Sequence, residues 1–149
     1  MADPVRSATA GHVNEQIDRE AERRVLRSAG EPKGVLSRRI EELDGEWDME
    51  RWLETNASAL AFTGTVLGLF VNRKFLAIPC FVLPFLFYHA VQGWCPPVPL
   101  FRRNGVRTRR EIDAEKYAVK VLRGDFDQVA VPQTNGDNRA REAWRAVNA

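Results

Sequence analysis

The chain alternates charged and apolar positions up to residue 54, and then the charges stop. Residues 55–72 are eighteen consecutive uncharged positions and residues 75–101 are twenty-seven more, with only Arg73 and Lys74 between them. A helix rises ~1.5 Å per residue, so 55–72 reaches ~27 Å and 75–94 reaches ~30 Å, about the hydrocarbon thickness of a bilayer. A soluble helix packed on one side carries a polar residue every third or fourth position. "FLAIPCFVLPFLFYHAVQ" has none before Tyr88 and His89. The remaining residues offer too little apolar surface to cover such a segment. The pattern therefore predicts a membrane hairpin with spans at about 55–72 and 75–94, rather than a soluble bundle.

Within the first span, small residues fall four apart in two successive pairs, Ala57 and Ala61, then Gly64 and Gly68. Such a stripe lets two helix backbones approach closely, either within the hairpin or between two copies of the chain. Pro79 and Pro84 predict a kinked second helix, tolerable where neighbouring groups satisfy the freed carbonyls. Arg38, Arg39 and Arg51 precede the hairpin, and Arg102, Arg103, Arg107, Arg109 and Arg110 follow it. The positive-inside rule then puts both termini in the cytoplasm. Trp52 and Trp94 become aromatic anchors at one interface, backed by Arg102 and Arg103.

The flanks read as helices. Val13, Ile17 and Ala21 make a thin stripe in the soluble segment 1–35, closed by Gly30. Residues 36–54 predict an amphipathic helix with Leu36, Ile40, Leu43 and Trp47 on one face, running straight into the first span. It lies along the membrane surface or pairs with another helix. The hairpin region is 55–101. In 102–127 a basic exit leads to "TRRE", a capping box with Thr108 as N-cap and Glu111 at N3. The helix it opens carries Ile112, Val119 and Leu122 on one face, with Lys116, Lys120 and Arg123 alongside, and closes at Gly124. Residues 128–149 form a linker and a short tail helix around Trp144.

Composition narrows the chemistry. A net charge of +2 gives no general attraction to nucleic acid. Two cysteines, Cys80 and Cys95, are no disulfide framework, and the first residues lack a basic-then-apolar signal, so no cleaved signal peptide is expected. No metal ligand set and no cofactor loop is present in the pattern, and CxxC and HxxxH pairs are missing. One catalytic candidate remains. His89, Gln92 and Cys95 follow one another at intervals of three, and a thiol near Arg102 and Arg103 could act as a sulfur or redox relay. The competing reading has His89 and Gln92 hydrogen-bonded to Asn56 or Ser58, Cys95 packed at a water-accessible interface, and the prolines holding an extended exit.

The step Gly93-x-Cys95-Pro96 at the end of an apolar hairpin resembles the transmembrane domain of the YgaP-like inner membrane protein family. The likeness covers about residues 56–105, and the flanks "ELDGEWDMERWLETNA" and "RTRREIDAEKYAVKVLRGDF" resemble a longer proteobacterial branch. The resemblance implies a bacterial inner-membrane domain that dimerises. Some members are fused to a rhodanese sulfurtransferase, which this sequence lacks, so sulfur transfer is not implied. The expectation is an all-α integral membrane protein. Its role is non-catalytic: a structural or accessory partner of the lipid bilayer, of itself or of a larger membrane complex.

Overall fold

A computed structural model describes residues 3–130 and 136–148. They form helices α1 (Pro4–Ser7), α2 (Gly11–Ser28), α3 (Lys33–Gly45), α4 (Met49–Phe70), α5 (Ala77–Gln92), α6 (Val98–Arg103), α7 (Arg109–Arg123), α8 (Asp127–Ala130) and α9 (Gly136–Asn148), with a 3₁₀ turn at Arg73–Leu76 before α5. Among the described residues there is no strand, and the fold is all-α. The chain divides into two compact units. One contains residues 1–17 and 47–110, the other 18–46 and 111–149. The N-terminal segment therefore does not form a unit of its own.

In the first unit α4 and α5 pack as an antiparallel pair. Gly68 faces Leu76, and one turn earlier Gly64 faces Ile78 and Pro79. A Cβ built on Gly64 would lie 2.7 Å from Ile78 Cβ, and one on Gly68 2.6 Å from Leu76 Cγ, both inside contact distance. The two glycines are buried, whereas Ala57 and Ala61 are half-buried. The glycine half of the stripe is thus occupied within the chain. Pro79 falls in the first turn of α5, where an N–H would have no intrahelical partner, and Pro84 lies inside the helix. Polar side chains of α4 turn back on their own helix. Asn56 donates to Trp52 O, Ser58 to Thr55 O and Thr65 to Ala61 O. The expected bonds from His89 and Gln92 to Asn56 or Ser58 are replaced by these shorter-range ones, which cost less chain ordering.

One helical stretch among the described residues, Arg73–Gln92, is long and apolar enough to cross a membrane. Helix α4 has the length, but Glu54, Thr55, Asn56 and Ser58 dilute its first half.

The second unit is built on a different principle. Leu36, Ile40 and Leu43 of α3 cluster with Ile112 and Val119 of α7. The apolar face of α3 is therefore covered by another helix and is not offered to a membrane surface. Nor does α3 run into α4. It stops at Gly45, Trp47 is partly exposed, and Asp48 restarts the helix by accepting from Arg51 N–H at 2.8 Å. Between Ile112 and Val119 the α7 stripe carries Glu115 rather than an apolar residue. Its side chain is fully buried, 3.0 Å from Arg24 Nε and 2.7 Å from Arg39 Nη2. Leu122, expected on that face, is 41% exposed, and Lys120, expected beside it, is 1% exposed. The Lys120 ammonium donates to Val147 O at 2.7 Å, so it caps the last turn of α9. The expected linker at 129–138 is helical at both ends, in α8 and α9, and residues 131–135 lie outside the described region.

Two substitutions test this packing. Gly64→Leu drives a branched side chain into Ile78 and Pro79 and should destabilise the hairpin by about 1–3 kcal/mol in denaturant titration in detergent. Glu115→Ala leaves two arginines without their shared carboxylate. A loss of ~3 kcal/mol is expected in the same measurement.

Candidate functional site

The residues singled out by the sequence converge at the base of the α4/α5 hairpin, where α5 ends. Gly93 ends it with φ 72° and ψ 4°, its N–H donating to His89 O at 2.7 Å. This left-handed geometry strains any residue with a Cβ. A Cβ here would also collide with the backbone of Pro4 in α1. Gly93 is therefore doubly required, by the turn and by the close approach of the N-terminal helix. Because α5 stops at Gln92, the spacing of three linking His89, Gln92 and Cys95 is not a helix face. Cys95 belongs to the exit segment.

That segment is helical rather than extended. Pro97 occupies the cap position of α6 and Pro99 its first turn, where a missing N–H costs nothing. Val98 and Arg102, four apart, share the buried face, at 0% and 1% exposure. Arg102, expected as an interfacial anchor, is instead an interior cross-link. Its Nη1 donates to Val106 O at 3.1 Å and its Nη2 to Asn14 Oδ1 at 2.7 Å. Asn14 passes the connection on, donating to Arg6 O at 2.9 Å. Arg103, one position on, remains exposed.

The N-terminal residues complete the base and gave no signal in the sequence reading. Asp3 caps α1 by accepting from the Val5 and Arg6 N–H groups, and its other oxygen accepts from Thr108 Oγ1 at 2.7 Å. Thr108 immediately precedes α7, where the capping box placed it. Val5, 2% exposed, packs with Met49, Leu53, Cys95 and Val98. The Met49 N–H donates to Arg107 O at 2.8 Å, tying the start of α4 to the exit.

Cys95 is 7% exposed in this cluster, contrary to the expectation of a water-accessible thiol. Burial pushes its pKa above the ordinary thiol value. His89 is also buried, and its Nδ1 has no hydrogen-bond partner. Cys80 is exposed on the outside of α5. Around the base lies an aromatic ring system. Trp52 stands 5.2 Å from Trp47 and 6.0 Å from Phe101, Arg51 lies over Trp47 at 4.6 Å, and Trp94 pairs with Tyr88 at 6.1 Å. Trp52 and Trp94 thus sit at the same end of the antiparallel pair. Above them an apolar groove of about 310 Å³ opens between α4, α5 and the exit segment, and Cys95 lines it. His89 and Gln92 do not. Among the described residues no group of His, Cys, Asp and Glu could hold a metal ion.

The chain matches no family model, no curated protein and no solved structure. Function must therefore be argued from the geometry.

The thiol provides the direct chemical check. A raised pKa means less thiolate at any given pH, so alkylation of Cys95 in the folded protein should be slow at pH 7. Its midpoint should lie above the ~8.5 of free cysteine. Full reaction below about pH 7 contradicts the buried, inert thiol.

Proposed function

We propose that the protein is a small, non-catalytic inner-membrane protein of the YgaP-like transmembrane type. Its α4/α5 hairpin crosses the bilayer twice, with both termini in the cytoplasm. The observation that carries this reading is the exposure of its most apolar stretch. Within Arg73–Gln92 the most apolar eighteen-residue window has only 6% of its residues buried, whereas the core helix of a soluble protein is mostly covered. Phe81 and Phe87 on α5 are 68% and 73% exposed, and Phe62, Leu69 and Phe70 on α4 are 71%, 69% and 83% exposed. In water such a surface is untenable, while in lipid it is the required one.

The packing supports a second crossing. A helix that lies antiparallel against a spanning helix along most of its length shares its depth. At 22 residues α4 is ~33 Å long, enough for a bilayer. Its polar side chains bond to their own backbone, which suits a lipid environment. The aromatic residues gathered at the base match an interfacial belt, and the arginines around both ends of the hairpin favour the cytoplasmic side.

A structural or accessory role follows from what the base is built to do. Its elements (a glycine turn, a buried arginine, a capped N-terminal helix) all hold backbone in place. Burial of Cys95 disfavours the thiol relay, since the thiolate is the nucleophile. The partner in this reading is the bilayer together with a second copy or a larger membrane complex. With the glycine stripe filled by α5, a second copy would have to use the outer faces of α4 and α5.

Reporter fusions test the topology. A reporter after Ala149 should be active only in the cytoplasm, and one inserted between Arg73 and Lys74 only in the periplasm. A C-terminal reporter active in the periplasm would sink the double crossing.

A further inference from the structure

We propose that α9 is a surface anchor whose outward face lies on the anionic cytoplasmic leaflet of the membrane. This anchor rests on the membrane reading and adds to it a second, charge-dependent contact with lipid. The sequence pattern gave the interfacial position to residues 36–54, but the apolar face of α3 is covered by α7. Helix α9 keeps its own stripe open. Successive residues turn by about 100° around a helix, so Ala140, Ala143, Trp144 and Val147 share a sector about 100° wide. Trp144 is 72% exposed and Val147 38%.

The opposite side of α9 is tied down. Ala146 is buried there, and the Lys120 ammonium donates to Val147 O at 2.7 Å. Trp144 therefore projects from a helix whose last turn is held, with its indole turned away from the unit.

Charge decides the occupant. Arg139 borders the stripe on one edge, Arg141 and Arg145 border it on the other, and all three are exposed. Arg145 gives one donor to Glu142 at 2.7 Å and keeps its remaining N–H groups. Glu142 itself lies on the far side of the helix from Trp144. Asp137, the other carboxylate of α9, falls in the first turn, where the positive end of the helix dipole offsets it. An apolar strip between two basic edges is complementary to a phospholipid leaflet, which is anionic on top and apolar beneath. Arginine side chains are long enough to reach the phosphates while the indole sits at headgroup level. A second copy offers the wrong charge. Pairing this face with itself sets arginine edges against arginine edges, and like charges so apposed repel.

The test follows an environment-sensitive fluorophore, nitrobenzoxadiazole, attached at Ala140→Cys in the full chain with Cys80→Ala and Cys95→Ala. The protein is assembled in nanodiscs of phosphatidylcholine, with and without phosphatidylglycerol. With phosphatidylglycerol present, emission should shift to the blue and be quenched by nitroxides carried on lipid headgroups. High salt should reverse both effects. Each of Arg139→Gln, Arg141→Gln and Arg145→Gln should lower the ratio of docked to free helix about fivefold, the share of one arginine at an anionic surface. Trp144→Ser should lower it at least as much. These side chains are exposed, and an unaltered circular dichroism spectrum shows that each variant keeps its fold. A chain that does not enter the discs overturns the membrane reading and the anchor with it. A chain that enters them but leaves the fluorophore in water overturns the anchor alone. So does a shielded fluorophore that ignores both phosphatidylglycerol and the three arginine substitutions, which is the signature of a protein contact.

Discussion

Everything in the first unit depends on two missing side chains. Gly64 and Gly68 present bare backbone to Leu76, Ile78 and Pro79, and no atom could be added at either position without collision. That approach sets the spacing of α4 and α5, hence the width of the groove between them and the level at which Trp52 and Trp94 emerge. It also spends the only small-residue stripe of the hairpin on an intrachain contact. In a lipid environment, where hydrophobicity does not bring helices together, close van der Waals packing of this kind is what remains to hold them.

The base of the hairpin is fixed by a second economy of space. Gly93 turns the chain out of α5 and leaves room for Pro4, and the N-terminal helix then closes over Cys95 through Val5. Polar bonds lock the closure from both sides, Asp3 to Thr108 and Arg102 through Asn14 to Arg6. These are side chains from both ends of the unit's sequence, more than eighty residues apart in two of the three cases. The arrangement accounts for the burial of the Cys95 thiol. The other unit solves its packing with charge: Glu115 is buried between Arg24 and Arg39 inside an otherwise apolar α3/α7 stripe.

What the sequence revealed was what local periodicity controls. The uncharged runs located the hairpin, the spacing of four located Gly64 and Gly68, and "TRRE" located the start of α7. The misreadings share one cause, residues whose role is decided by a distant segment. Arg102 and Arg103 look equivalent in sequence. The short helix α6 places Arg102 on the face of Val98, and the distant Asn14 and the nearby Val106 carbonyl receive it inside. The spacing of Val98 and Arg102 could have raised the question, but a run of three prolines argued for extended chain. Glu115 lies at helical spacing from both Ile112 and Val119, yet a carboxylate in an apolar stripe reads as solvent-facing until its two arginines are known. Asp3 and Val5 carried no pattern at all, being single residues in a short segment.

The central claim is that α4 lies in the bilayer beside α5, although α5 with its preceding turn is the stretch apolar enough to qualify on its own. Spin labels at Phe62 and Leu69 on α4, and at Phe81 and Phe87 on α5, read this directly through collision with dissolved oxygen against a water-soluble nickel complex. The account predicts that all four sites favour oxygen, with the α4 sites at depths mirroring those on α5. Labels on α4 that collide freely with nickel, while those on α5 do not, would contradict it.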